Sequence, residues 1–145
     1  MGQKGQRKPT QRSLLEHTKR QVLVALETGK RKDLIILVIP SHDRKNRALP
    51  DQNMWAEAGA EVLAEAYRGA TAFKASSGIF KTDEGDILRD QPILLEAYAD
   101  REQVVDDANL DALLTFAMRM GRDADQDTVM LVVNDFMHYI PTKSL

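Results

Sequence analysis

The chain has 145 residues, of which 43% are apolar and 29% charged, with a net charge of −2 and no cysteine. That length suits one domain with a real core and is short for two of ordinary size. The lack of cysteine excludes disulfides, thiolate metal sites and a cysteine nucleophile. The longest apolar run, Leu34 to Pro40, falls far short of the roughly eighteen residues of a membrane span, so no membrane partner is expected.

Charge is spread unevenly along the chain. Residues 1–32 hold nine Lys/Arg against Glu16 and Glu27, a local charge of +7, which leaves −9 for the remaining 113 residues. A basic arm on an acidic body is a design that meets something anionic. The opening MGQKGQRKPTQ has no apolar segment or small-residue cleavage site of a secretory signal, and no Ser or Thr where a myristoylation signal needs one. A cytoplasmic protein is expected.

Residues 1–9 are polar and basic and end at Pro9. From Thr10 to Thr28, Leu14, Leu15, Val22, Ala25 and Leu26 recur at helical spacing, with Gly29 at the C-cap position, which predicts an amphipathic helix with a basic polar face. Leu34 to Ile39 is a continuous apolar run rich in β-branched residues and reads as a central strand buried on both faces. After the loop SHDRKNRALP, Asp51 is placed to cap a helix that carries Trp55, Val62, Leu63 and Tyr67 and stops at Gly69.

Thr71 to Ser76 alternates like a strand, IFK follows Gly78, and TDEGD is a turn before Ile87 and Leu88. Pro92 to Ala99 is another strand. These pieces predict one long bent hairpin turning at Asp83 to Gly85, irregular at Gly78. A helix from Asp100 to Met120, ended by Gly121, precedes a last strand, Thr128 to Val133; the tail from Asn134 shows no period.

After the leader helix the order is strand, helix, strand, strand, helix, strand. The fold class expected is α+β, a ferredoxin-like βαββαβ sandwich with an antiparallel sheet, helices on one face and an extra N-terminal helix. The division expected is 1–32, a basic tail and amphipathic helix, and 33–145, a single ferredoxin-like domain. With the strand order usual for that plan, the loop Ser41 to Leu49, the hairpin and the loop Arg122 to Asp127 share one end of the sheet.

The stretches IPSHDRKNRALPDQNMW and GATAFKASSGIFKTDEGDILRDQPILLEAY, within residues 34–134, resemble small uncharacterised bacterial proteins of ferredoxin-like build. The resemblance implies the fold and carries no activity, because that plan hosts enzymes, RNA binders and dimerisation modules alike.

Candidate chemistry is sparse. His42 and Asp43 form an HD pair, but it follows a strand, and the other histidines are His17 in the leader and His138 near the far end of the sheet. Asp123, Asp125 and Asp127 are spaced like the start of a calcium loop whose Gly and Glu positions hold Thr128 and Asn134. No cofactor or metal site is therefore expected. Ser41 lies beside His42, yet chain neighbours need not reach each other, and no nucleophile elbow or phosphate loop is present. Phe73, Phe80 and Tyr98 are placed to form an aromatic row on the hairpin.

Two readings of function stand, with catalysis the less favoured. One is a non-catalytic homo-oligomer, a dimer joined through the free sheet face with Phe73, Ile79, Leu94 and Val132 on it. The other is engagement of nucleic acid or an acidic protein by Lys4, Arg7, Lys8, Arg12, Lys19, Arg20, Lys30, Arg31 and Lys32. Its enzyme version is a small metal-dependent nuclease in which Asp43 holds Mg²⁺.

Overall fold

The computed structural model describes residues 7–29 and 31–142. The chain divides into two compact units, 1–31 and 32–145. The first is built on one helix, α1 (Gln11–Thr28). Thr10 caps it, its hydroxyl accepting the Ser13 N–H at 3.2 Å, and Gly29 closes it in the left-handed region at φ 72°. Lys4 and Lys30 of the basic set lie outside the described residues. Arg7 and Lys8 precede α1, Arg12, Lys19 and Arg20 lie on it, and Arg31 follows it.

The second unit is α+β. Its sheet has the order β2-β5-β1-β6-β7, with every pair antiparallel. The strands are β1 (Asp33–Ile39), β2 (Thr71–Lys74), β5 (Ile93–Ala99), β6 (Thr128–Val133) and β7 (Phe136–Pro141). Two long helices, α2 (Gln52–Tyr67) and α4 (Asp107–Asp123), cover one face. Ile35, Leu37 and Ile39 of β1, Leu95 and Ala97 of β5, and Val129 and Leu131 of β6 point into that core with Leu63, Leu113, Phe116 and Met120. Burial of these side chains supplies the main drive for folding, at about 1.5–3 kcal/mol for each large one.

Within this unit, no described helix covers the other face. Leu34, Ile36 and Val38 of β1 are half-buried, so the central strand is sealed on one side only, a correction to its expected burial on both. Register puts Leu94, Tyr98, Phe73 and Val132 on the same side, since Val38 opposes Leu94, Leu34 opposes Tyr98, Phe73 opposes Leu94 and Ile36 opposes Val132.

Four boundaries differ from the sequence pattern. The helix ends at Tyr67, with Arg68 in the left-handed region (φ 70°) and its N–H on Ala64 O, so Gly69 is not the stop. The Asp51 carboxylate takes the Trp55 indole N–H at 3.1 Å instead of capping the backbone. The second helix is broken into α3 (Arg101–Val104) and α4, because Asp106 is extended and its carboxylate caps the Asn109 N–H at 3.0 Å. Gly121 lies inside α4, where a Cβ would press on Thr142 and come within 2.8 Å of Val129 Cγ2.

The expected hairpin also divides. β2 and β5 join the main sheet, whereas β3 (Gly78–Lys81) and β4 (Ile87–Asp90) pair only with each other as a two-stranded arm. Phe80 sits on that arm, so the expected row with Phe73 and Tyr98 does not form, and Ile79 is not on the sheet face. The tail forms β7, whose Ile140 enters the core opposite Val129. Among the described residues no helix is long and apolar enough to cross a membrane.

Candidate functional site at the end of β1

β1 delivers its last residues to a place where three connections meet. Pro40 ends the strand, and the loop 41–49 folds back on itself: Leu49 N–H reaches Ser41 O, Asp43 N–H reaches Arg47 O, and His42 bridges Ala48. Asp43 organises the turn. Its Oδ1 accepts the N–H groups of Lys45 and Arg47, both at 2.9 Å, and its Oδ2 accepts Arg47 Nε at 2.7 Å. The Arg47 N–H foremost, outweighing desolvation, holds the Asp43 carboxyl below the usual range. Asn46 completes the turn at φ 60°, a conformation Asn tolerates.

Glutamines tie this loop to its neighbours. Gln126, in the α4–β6 connection, donates Nε2–H to His42 O at 2.7 Å and to Ala124 O at 3.0 Å. Gln52, at the start of α2, donates to Gln91 O at 2.9 Å. The Gln91 N–H donates to Ser41 Oγ at 2.9 Å, and that hydroxyl lies 2.7 Å from His42 Nδ1. Arg44 anchors the same connection, its N–H on Asp125 O and its guanidinium 2.9 Å from the Asp125 carboxylate.

The result is a cleft of about 200 Å³ lined by Pro40, His42, Asp43, Arg44, Asn46, Gln126 and, from the arm, Phe80, Leu88, Arg89 and Asp90. Phe80 and Leu88 oppose each other across β3 and β4 and supply the apolar wall. Polar groups thus face an apolar wall, and those of His42, Asp43, Arg44 and Gln126 are held in place by their own hydrogen bonds or ion pairs, the kind of preorganisation a ligand site needs. A larger groove of about 570 Å³ runs between α2 and α4, but it is open and edged by Glu61, Glu65, Arg119 and alanine methyls.

The cleft collects His42 and Asp43 from the sequence candidates, and it separates them in role. Asp43 is committed inside its loop; a Mg²⁺ ligand needs those oxygens free. Ser41 and His42 do meet, contrary to the doubt that their adjacency raised. No group of three or more His, Asp or Glu among the described residues is arranged to hold a metal ion. Of the basic set, Lys32 is paired with Asp100 at 2.8 Å. Gln91, Gln126 and Leu88 were not legible as site residues, since a lone glutamine before a strand carries no signal of its own.

No family model matches the chain, and no curated protein matches it. Among solved structures, it is similar to a phage SAM lyase in complex with S-methyl-5′-thioadenosine, at 6% identity and a TM-score of 0.54, covering 78% of this chain and 92% of that one. It is likewise similar to a phage SAM lyase in the apo state, at 8% identity and a TM-score of 0.55, covering 81% of this chain and 94% of that one. Likeness at such identity is a likeness of fold. It overturns the expectation of a non-catalytic homo-oligomeric module, because these two solved chains are those of an enzyme.

Proposed function

We propose that this chain is a small-molecule enzyme whose site is the His42–Phe80–Gln126 cleft, and that its substrate is a sulfonium nucleoside of the S-adenosylmethionine class. The observation that carries the reading is the preorganised cleft itself, at the end of the central strand of a fold shared with a lyase acting on that compound. In this reading the order β2-β5-β1-β6-β7 is a ferredoxin-like plan with β7 added at one edge.

The chemistry asks little of charged side chains. When an S–C bond of a sulfonium breaks, its electron pair stays on sulfur, and the carbon fragment either bonds to a nucleophile, water or the substrate's own carboxylate, or gives up a neighbouring proton to water. Positive charge on sulfur vanishes in this step, so a weakly solvating wall raises the substrate more than the transition state. Phe80 and Leu88 form such a wall; His42 and Asn46 supply hydrogen bonds that orient the polar ends, and Gln126, with both N–H groups spent on His42 O and Ala124 O, offers its amide oxygen as an acceptor. About 200 Å³ holds one end of a nucleoside-sized ligand, below the roughly 300 Å³ at which such pockets begin. A second copy of the chain on the apolar sheet face is the partner this reading favours.

The test is incubation of purified protein with S-adenosylmethionine and chromatography of the products. Release of S-methyl-5′-thioadenosine, lost in Phe80→Ala, is expected. No product from the wild type, together with no calorimetric binding of S-methyl-5′-thioadenosine, would overturn the reading.

A further inference from the structure

Ser41 and His42 form a pair whose geometry dictates which ring nitrogen carries the proton. Ser41 is 8% exposed, and its Oγ accepts the Gln91 N–H at 2.9 Å. A hydroxyl has one hydrogen to give, and a buried one needs a place to give it. Among the described residues, the acceptor in reach is His42 Nδ1 at 2.7 Å. Were Nδ1 protonated in the neutral ring, Ser41 Oγ would accept twice and its own O–H would lack an acceptor. The satisfied arrangement has the Ser41 O–H donating to a bare Nδ1, which places the ring proton on Nε2.

The rest of the loop holds this ring where the pair needs it. The Gln126 amide fixes the His42 carbonyl at 2.7 Å, and the bridge to Ala48 fixes its backbone. Gln91, which supplies the bond to Ser41, is itself tied through its carbonyl to Gln52 and through its side chain to Ser76 O at 3.2 Å. His42 lines the cleft, and with Nδ1 turned to Ser41 the nitrogen left for a ligand is Nε2.

We propose that Ser41 is a positioning residue that locks His42 in the Nε2–H form, so that His42 serves the cleft as a hydrogen-bond donor to an acceptor atom of the ligand and not as a base. This rests on the cleft being the ligand site, as proposed above. It assigns the ligand end lodged beside His42 an acceptor: a ring nitrogen, a hydroxyl oxygen or a carboxylate oxygen.

Two measurements test it separately from that reading. Long-range ¹H–¹⁵N correlation on uniformly labelled protein, at a pH where the ring is neutral, reports the tautomer directly, with His42 assigned by its loss in His42→Gln. The expected result is an Nε2–H pattern in the wild type and in Ser41→Thr, and a tautomer mixture in Ser41→Ala. An Nδ1–H pattern in the wild type, or an unchanged pattern in Ser41→Ala, overturns the proposal without touching the functional reading.

Binding of S-methyl-5′-thioadenosine by calorimetry is the second arm. His42→Gln keeps a donor near the Nε2 position and should bind close to wild type, whereas His42→Phe should weaken binding about five- to tenfold, the worth of one hydrogen bond. Equal binding by wild type and His42→Phe overturns the donor role. No binding by the wild type, with the Nε2–H pattern present, overturns the functional reading and leaves the lock on the tautomer standing.

Discussion

Asp33 shows how much one buried carboxylate at the start of β1 can organise. It is 6% exposed and accepts Arg101 through two bonds at 2.8 and 2.9 Å and Asn134 Nδ2–H at 2.8 Å. Asn134, at φ 57°, also takes the Leu34 N–H on its Oδ1, so the β6–β7 turn is pinned to β1. The Asn134 amide first, then the Arg101 guanidinium, hold the Asp33 carboxyl below the ordinary range against the opposing effect of burial. A carboxyl lowered in the folded state stabilises above its unfolded value and loses that stabilisation as pH falls through the folded one. Wild-type protein should therefore lose urea resistance as pH falls below the ordinary Asp value of about 3.9 more steeply than Asp33→Asn, and the two midpoints should converge as pH falls. Parallel curves would show that Asp33 is not the titrating group. Sequence reading passed over Asp33, because its partners lie 68 and 101 residues away.

At the scale of elements, α4 and β7 depend on a residue that sequence pattern assigned to a helix end. Gly121 lets α4 approach Thr142 and Val129 closely, and Thr142, 2% exposed, donates its hydroxyl to Gln126 O with a longer contact to Asp127 O at 3.1 Å. Two opposing effects meet in Gly121→Ala. Helix propensity gains up to about 1 kcal/mol, while overpacking against two β-branched side chains costs about 1–3 kcal/mol. Thr142 cannot turn away without giving up its hydrogen bonds, so the cost wins. The variant should be less stable by about 1 kcal/mol in denaturant unfolding, and equal or greater stability would mean the contact relaxes freely. Thr142 thereby holds the carbonyl of Gln126, the residue whose side-chain amide holds His42. The leader helix, β1, β5 and β6 were legible because apolar period and caps are local signals. The α3–α4 break was not, because two capping aspartates six residues apart, Asp100 and Asp106, stand inside what reads as one helical stripe.

On the scale of the whole molecule, one sheet face is sealed by helices and the other is apolar and half-open. Leu34, Ile36, Val38, Leu94 and Val132 are half-buried there, and Phe73 and Tyr98 are 49% and 58% exposed. Glu96, opposite Ile36, is a charge in its midst. A contiguous apolar surface of this kind on a sheet is stable in water when another surface covers it. If a second copy does so, multi-angle light scattering should give a mass above the monomer for the wild type and a monomer for Ile36→Lys, with the fold intact by circular dichroism. A wild-type monomer at micromolar concentration would rule out the second copy as the covering surface.

What the chain settled by itself is the class and most of the segments, but not β7, the α3–α4 break or the separate β3–β4 arm. An α+β build with a central apolar strand, a capped leader helix and a polar loop after that strand follows from period, caps and turn residues within a few positions of one another. The tertiary structure alone decided the cleft. Ser41 takes its hydrogen bond from Gln91, 50 residues on, and His42 takes its support from Gln126, 84 residues on. Hydrogen bonds between distant polar residues leave no mark on local pattern, because a glutamine in a solvated loop and a glutamine bonded into a site read alike until the sheet brings them together.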